Sequence, residues 1–341
     1  RMSLCAADSR ARSEKGWSAY DTSGERAKLA HLASGAGDEL RGYAGTLCST
    51  LFELGRSYQD SLTRSASPLC GEIKGAVEKT PRLFPEGGLV ACQGTEGAYS
   101  QAAAERIFEH PEIMFFRSFE SVLSAVEKGL CRYGVLPLEN STAGSVNAVY
   151  DLMMKHRFSI VRSARIRVEH CLAAKHGAAL SGVREIFSHE QAISQCAEYL
   201  ASLPGVKVTA VENTAAAARM VAESGRADVA ALCSRSCAEV YGLAALAEGV
   251  QDSKNNYTRF ICVSKQLEIY PGADRTSVML TIPHRPGSLY MVLSRINALN
   301  INLSKLESRP MPGREFEFMF YFDLDAPVES PRFAQLIDEL D

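Results

Sequence analysis

At 341 residues the chain is longer than one hydrophobic core usually supports, so two or three domains are expected. A hydrophobic share of 46% and a net charge of −3 describe an ordinary soluble protein. They leave no basic excess to suggest a nucleic-acid partner, and no apolar run is long enough to span a membrane. The N-terminus carries charges throughout and lacks the apolar centre of a signal peptide. The ten cysteines are scattered singly, apart from Cys233 and Cys237 one helical turn apart. No Cys/His spacing argues for a metal, and without secretion disulfides are not expected. The expectation is a cytoplasmic enzyme with free thiols.

Residues 1–65 read as helices. Leu47, Leu51, Leu54 and Tyr58 form an amphipathic stripe at spacings of four, three and four. Residues 66–88, punctuated by Ser, Pro and Gly, read as a linker with one short helix. From Leu89 strands and helices alternate. Leu89–Cys92, Ile113–Phe116 and Tyr133–Leu136 read as strands, with a helix through Phe108 and another over Phe119–Lys128. Ser159–Leu172 is extended and suited to cross between lobes. A second α/β unit follows: Ile186-Phe187, a helix to Leu200, strand Val206–Val211, an alanine-rich helix to Glu223, strand Asp228–Leu232 and a helix to Tyr241. The predicted α/β region spans 89–265. Beyond Pro271 the pattern is a small α+β module over 276–341: strand Ser277–Ile282, a helix through Ala298, strand Ile301–Ser308 and its hairpin partner Phe316–Leu324.

Four loops in the middle region share one design, a strand end followed by small or hydroxyl residues and then a helix. They are Gly94–Ser100, Asn140–Ser145, Ser188–Gln191 and Asn213-Thr214. Helix N-termini leave N–H groups unpaired and favour anions. Ordinary N-capping is the commoner use of any one such loop, but four in one region point to an anion-binding cleft. A fifth stretch, Asn255-Asn256-Tyr257-Thr258-Arg259-Phe260, puts a hydroxyl beside a guanidinium at the mouth of an apolar strand. It reads either as a loop entering a strand or as a pair placed to receive an anion and give it a proton.

Taken in order, Gly94-Thr95-Glu96-Gly97-Ala98-Tyr99-Ser100, Leu136–Val146, Ser188-His189-Glu190-Gln191-Ala192 and Thr258-Arg259-Phe260 resemble the motifs of prephenate dehydratases. Glu190 departs from the usual Pro. The resemblance implies two lobes, like those of periplasmic solute-binding proteins, with the active site between them. It also implies cofactor-free conversion of prephenate to phenylpyruvate with loss of carbon dioxide and water. It assigns Thr258 to the departing hydroxyl and Arg259 to a substrate carboxylate. Asn140, Ser141, Thr142, Ser188, His189, Gln191, Gly97, Tyr99 and Ser100 are then expected to orient the substrate. Arogenate dehydratase, acting on the amino analogue, and a non-catalytic amino-acid sensor are the alternatives.

The C-terminal module resembles an ACT domain through Pro286-Gly287-Ser288-Leu289 and Glu307-Ser308-Arg309-Pro310. That likeness implies feedback inhibition by phenylalanine bound at those residues. The first 65 residues resemble an all-helical chorismate mutase. Arg1, Asp21, Glu25 and Gln59 match its site and Arg12 stands where it has a Lys, whereas Gly24 and Gly55 replace an Arg and a Ser, so weak or lost mutase activity is expected. The chain begins at Arg1 and stops at Asp341 inside a helical pattern, so segments are expected beyond both ends. Paired ACT domains and helix-swapped mutases both favour a homodimer.

Overall fold

The computed structural model describes residues 11, 22–63, 67–314 and 317–340; the side chains of 22, 26, 33, 53, 56, 57 and 59–63 lie outside the described set. Arg1, Arg12, Asp21 and the Gln59 side chain therefore lie outside the described residues. The chain divides into two compact units. One joins residues up to Thr80 with Ile269 onward, and the other runs from Pro81 to Glu268.

The central unit is built on two sheets. The first holds β1 (Gly87–Gln93), β2 (His110–Phe116), β3 (Tyr133–Asn140), the short β4 (Gly144-Ser145), β5 (Ser159–Arg167) and β11 (Tyr257–Ser264), in the order β2-β1-β3-β11-β5 with β4 on β3. Its first three strands are parallel and are connected by α4 (Tyr99–Ile107) and α5 (Phe119–Glu127). Ser118 caps α5 by accepting from the Ser121 N–H, and Val122, Leu123 and Val126 face the core. β3 continues past Leu136 through Pro137, which lies opposite Phe260 where the pairing of β3 with β11 shifts register. The helix α6 (Asn147–Met153) follows β4.

The second sheet has the order β10-β6-β9-β7-β8, formed by β6 (Cys171–Ala174), β7 (Glu185–Ser188), β8 (Lys207–Ala210), β9 (Val229–Cys233) and β10 (Ala244–Glu248). The Ser159–Leu172 stretch therefore crosses from the first sheet to the second, and β11 returns the chain to the first. Both faces of the second sheet are buried. Cys171, Ala173, Ala231 and Cys233 pack on one side, and Leu172, Ala174, Ala230 and Leu232 on the other. This two-sided burial explains why β6 and β9 read as unbroken apolar runs. The helix expected to reach Leu200 is instead two, α7 (Glu190–Gln195) and α8 (Ala197–Ala201), broken at Cys196 with ψ 27°. α9 (Thr214–Glu223) follows β8, with Asn213 capping it by accepting from the Ala216 N–H at 2.7 Å. α10 (Arg235–Val240) follows β9.

In the other unit α1 (Thr22–Gly35), α2 (Arg41–Thr63) and α3 (Pro68–Lys79) accompany a β-α-β-β-α arrangement. That arrangement comprises β12 (Thr276–Thr281), α11 (Ser288–Ala298), β13 (Asn302–Pro310), β14 (Phe318–Asp325) and α12 (Pro331–Leu340), with an antiparallel sheet ordered β12-β14-β13. α3 falls in the stretch read as linker. Ser67 caps it, Pro68 opens it, and Cys70 is buried with Val292, Ile296, Phe322 and Phe333. The Ser67 N–H also donates to Asp338 at 2.7 Å. Along α2 the apolar stripe is solvent-facing at Leu47 and Leu51, while Phe52 and Gly55 are buried.

Candidate active site

A cleft of about 440 Å³ opens between the two sheets of the central unit. Residues of all four predicted loops line it: Gly94, Ala98, Tyr99 and Ser100; Asn140, whose loop runs into β4 rather than directly into a helix; His189 and Gln191; Asn213 and Thr214. Thr258 and Phe260 of β11 complete that wall. Loops that could each have been simple caps thus converge on one space.

Asn140, only 6% exposed, organises the Thr258 side of the cleft. Its Oδ1 accepts from the backbone N–H groups of Thr142 (3.0 Å) and Ala143 (2.8 Å) and from the Thr142 hydroxyl (2.7 Å). Backbone N–H groups only donate, so the amide orientation is fixed. Its Nδ2 then donates toward Asn256 Oδ1 (2.7 Å), Thr258 Oγ1 (2.9 Å) and the Tyr257 carbonyl (3.3 Å). Because the Thr258 oxygen accepts from Asn140, its proton is left to be donated elsewhere. No acceptor among the described residues takes it, and the residue lines the cleft. The sheet register holds this geometry, since Thr258 pairs with Asn140 across β11 and β3. Ser141 ties the same two strands: its hydroxyl donates to the Asn255 carbonyl (3.0 Å) and accepts from the Tyr257 N–H (2.9 Å).

The same logic runs outward from Thr142. Having donated to Asn140, its oxygen accepts from Gln195 Nε2 at 3.2 Å. Gln195 Oε1 then faces His170 Nε2 at 3.1 Å, so that nitrogen carries the hydrogen and Nδ1 is a bare acceptor. His170 is 2% exposed, and its Nδ1 has no partner among the described residues. Burial holds its pKa below the ordinary imidazole value, against the smaller upward pull of the Gln195 hydrogen bond. The ring is kept as one neutral tautomer.

Arg259 is not where the sequence reading puts it. Neighbouring strand residues point to opposite faces. Thr258 and Phe260 line the cleft, whereas Arg259, 6% exposed, lies beside Glu139 with Nη1 3.5 Å from Oε1. The two residues expected to work side by side are separated by the sheet. Ser188 is corrected as well: it is fully buried, and its hydroxyl donates to the Leu232 carbonyl at 2.7 Å. Gly97 supports the cleft from behind. Its φ is +84°, and a Cβ there would meet Cys237 Cα at 3.0 Å. Tyr99 donates to the Glu169 carbonyl at 2.6 Å, and Ser100 to the Gln93 carbonyl at 2.6 Å. His189 caps α7 through Nδ1, which accepts from the Gln191 N–H at 3.2 Å.

Sequence reasoning missed His170, Gln195 and Glu212, all of which line the cleft. Glu212 directly precedes the Asn213 cap and so was within reach of the capping argument. His170 stands alone in an apolar stretch and carries no local signal. Among the described residues lining the cleft there is no Arg or Lys, and Glu212 is the one carboxylate. The available anion donors are N–H groups, above all at α4, where Ala98 supplies no side-chain cap. Among the described residues no cluster of His, Cys, Asp and Glu could hold a metal ion.

In the second unit, Gly287 (φ +86°) opens α11 ahead of Ser288 and Leu289. Glu307, Ser308, Arg309 and Pro310 end β13, an edge strand of the three-stranded sheet. Glu25 lies on α1, half-buried, with Gly24 beside it.

Comparison with known proteins adds the family. Arogenate dehydratase 2 of Petunia hybrida is 35% identical, covering 74% of this chain and 68% of its own length. A bifunctional chorismate mutase/prephenate dehydratase of Neisseria gonorrhoeae is 34% identical, covering 74% and 70%. Among solved structures, a protein described as a novel type of quorum-quenching acylase is 32% identical at a TM-score of 0.68, covering 74% of this chain and 93% of that one. The prephenate dehydratase of Arthrobacter aurescens in complex with L-Phe is 28% identical at a TM-score of 0.67, covering 74% and 85%. Residues 90–268 match the family described as prephenate dehydratase. That span includes every loop of the cleft and more than half of the chain, and on it the chain belongs to the prephenate dehydratase family.

Proposed function

We propose that the chain catalyses the decarboxylative dehydration of a prephenate-type cyclohexadiene. The product is phenylpyruvate from prephenate, in keeping with the family, or phenylalanine from arogenate, in keeping with the names of plant relatives. The observation that carries this reading is the Thr258 hydroxyl, made a donor by Asn140 in a cleft lined by three helix-opening loops and the turn after β3. The ring carboxylate leaves as carbon dioxide, and its bonding electrons pass through the diene and expel the 4-hydroxyl as the ring becomes aromatic. No proton is taken from carbon, so the step needs a donor at the leaving oxygen rather than a base. Thr258 supplies that hydrogen bond as hydroxide develops, and general-acid assistance of this kind contributes about 10²- to 10⁴-fold. The substrate carboxylates are taken by N–H groups of the loops, with Arg259 bracing β11 against β3 through Glu139. Incubation of the chain with each substrate, followed by phenylpyruvate absorbance or phenylalanine detection, tests the reading. Absence of product from both overturns it.

The same reading gives the second unit a regulatory role. Its β-α-β-β-α order and the left-handed Gly287 at a helix start support phenylalanine binding of the ACT type, with Gly287–Leu289 and Glu307–Pro310 as the site. A related dehydratase structure is described in complex with L-Phe. The N-terminal helices contribute little chorismate turnover, because Gly24 and Gly55 stand where the mutase pattern has an Arg and a Ser.

A further inference from the structure

The two candidate substrates share two carboxylates and differ at one substituent, a keto oxygen in prephenate and an ammonium in arogenate. Prephenate therefore arrives as a dianion, arogenate with one charge fewer. The cleft offers N–H groups but, among its described residues, no side-chain cation to balance the second charge of the dianion. Among the described residues lining it there is no Arg or Lys, and Glu212 adds a negative charge. No ion pair or hydrogen bond engages the Glu212 side chain among the described residues, and it is exposed at the cleft wall. It sits at the end of the β8 loop, immediately before the cap Asn213 and the first residue of α9, Thr214. Three consecutive residues thus present an acceptor for a cation and a helix N-terminus for an anion. This pairing fits the two ends of an α-amino acid. His170, held neutral by burial, adds no positive charge.

We propose that Glu212 and the start of α9 read the α-amino-acid end of the substrate, so that the chain prefers arogenate to prephenate and Glu212 sets the preference. The inference rests on the dehydratase reading of the cleft. The test is kcat/KM for both substrates in the wild-type chain and in Glu212→Gln. The wild type is expected to favour arogenate by at least about tenfold. Glu212→Gln lowers kcat/KM for arogenate by about ten- to a hundredfold, the range for a lost hydrogen bond to a charged group. It raises kcat/KM for prephenate, because a repelling charge is removed. A wild-type preference for prephenate, or a ratio that Glu212→Gln leaves unmoved, overturns the inference while leaving the dehydratase reading intact. Failure to turn over either substrate defeats the dehydratase reading instead. Calorimetric titration of the wild-type chain with the two compounds then still decides the inference, which equal affinities or tighter prephenate binding would overturn.

Discussion

Asn140→Asp is the perturbation that best isolates the direction of the Thr258 hydroxyl. The carboxylate keeps an oxygen for the Thr142 and Ala143 N–H groups, so the loop after β3 retains its two backbone bonds. At the other position the amide nitrogen, which donates toward Asn256, Tyr257 and Thr258, becomes an oxygen. Asn256 restores one bond by turning its amide, and the Tyr257 carbonyl keeps the Ser141 N–H as its donor at 2.8 Å. The net cost is about 1–3 kcal/mol, the range for a buried polar atom without a partner, because the new carboxylate oxygen faces the Tyr257 carbonyl oxygen where the amide had donated. For a domain of this size that lowers the melting temperature by about 2–4 °C per kcal/mol. The effect on catalysis is larger. Thr258 now donates its proton to the introduced carboxylate, away from the cleft, and kcat falls by about 10²- to 10⁴-fold. The double variant Asn140→Asp/Thr258→Val is then no slower than Thr258→Val alone, because both remove the same donor. Steady-state product formation and a thermal melt measure the two effects. A kcat within about threefold of wild type in a folded Asn140→Asp protein refutes the reasoning.

Two further predictions concern the rest of the molecule. Glu185 is paired with Lys207 (2.9 Å) and Arg226 (2.6 Å) and accepts from Thr209 (2.8 Å), and these partners hold its carboxyl at about 2 rather than 4.5. A depressed folded-state pKa gives stability that is present above the unfolded value and is lost as pH falls. The melting temperature should therefore drop between about pH 4.5 and 2, and Glu185→Gln should flatten that slope; an unchanged slope contradicts the pairing. Saturating phenylalanine should inhibit turnover and raise the melting temperature, since a ligand at about a hundred times its Kd adds about 2.7 kcal/mol. Gly287→Val, which forces a β-branched residue to φ +86°, should abolish both effects. Phenylalanine that alters neither activity nor melting rules out the regulatory site.

The alternation of strands and helices was legible because burial on both faces makes Val90–Cys92 and Val229–Cys233 continuous apolar runs. Three of the four cleft loops were legible because each opens a helix, and Asn213 and His189 do cap theirs, whereas Asn140–Ser145 runs into β4. β10 escaped notice because Ala244, Ala245 and Ala247 carry no strand preference of their own. Two-residue alternation alone could have shown that Thr258 and Arg259 face opposite ways, but reading them as one motif obscured it. Packing of Cys70 against Phe333 has no local signature, since partners so far apart in sequence are set by tertiary burial. The single tautomer of His170 was also out of reach, because it follows from a chain of bonds through Gln195 and Thr142 to two backbone N–H groups.

The most direct measurement of the central claim is the turnover of Thr258→Val and Thr258→Ser beside wild type, on whichever substrate the wild type accepts. Valine has the shape of threonine without the hydroxyl, and Asn140 keeps Asn256 and Tyr257 as acceptors, so the protein stays folded. Thr258→Val is expected to lose about 10²- to 10⁴-fold in kcat, and Thr258→Ser, which keeps the donor, to retain most of the activity. Near-normal turnover by Thr258→Val would contradict the account.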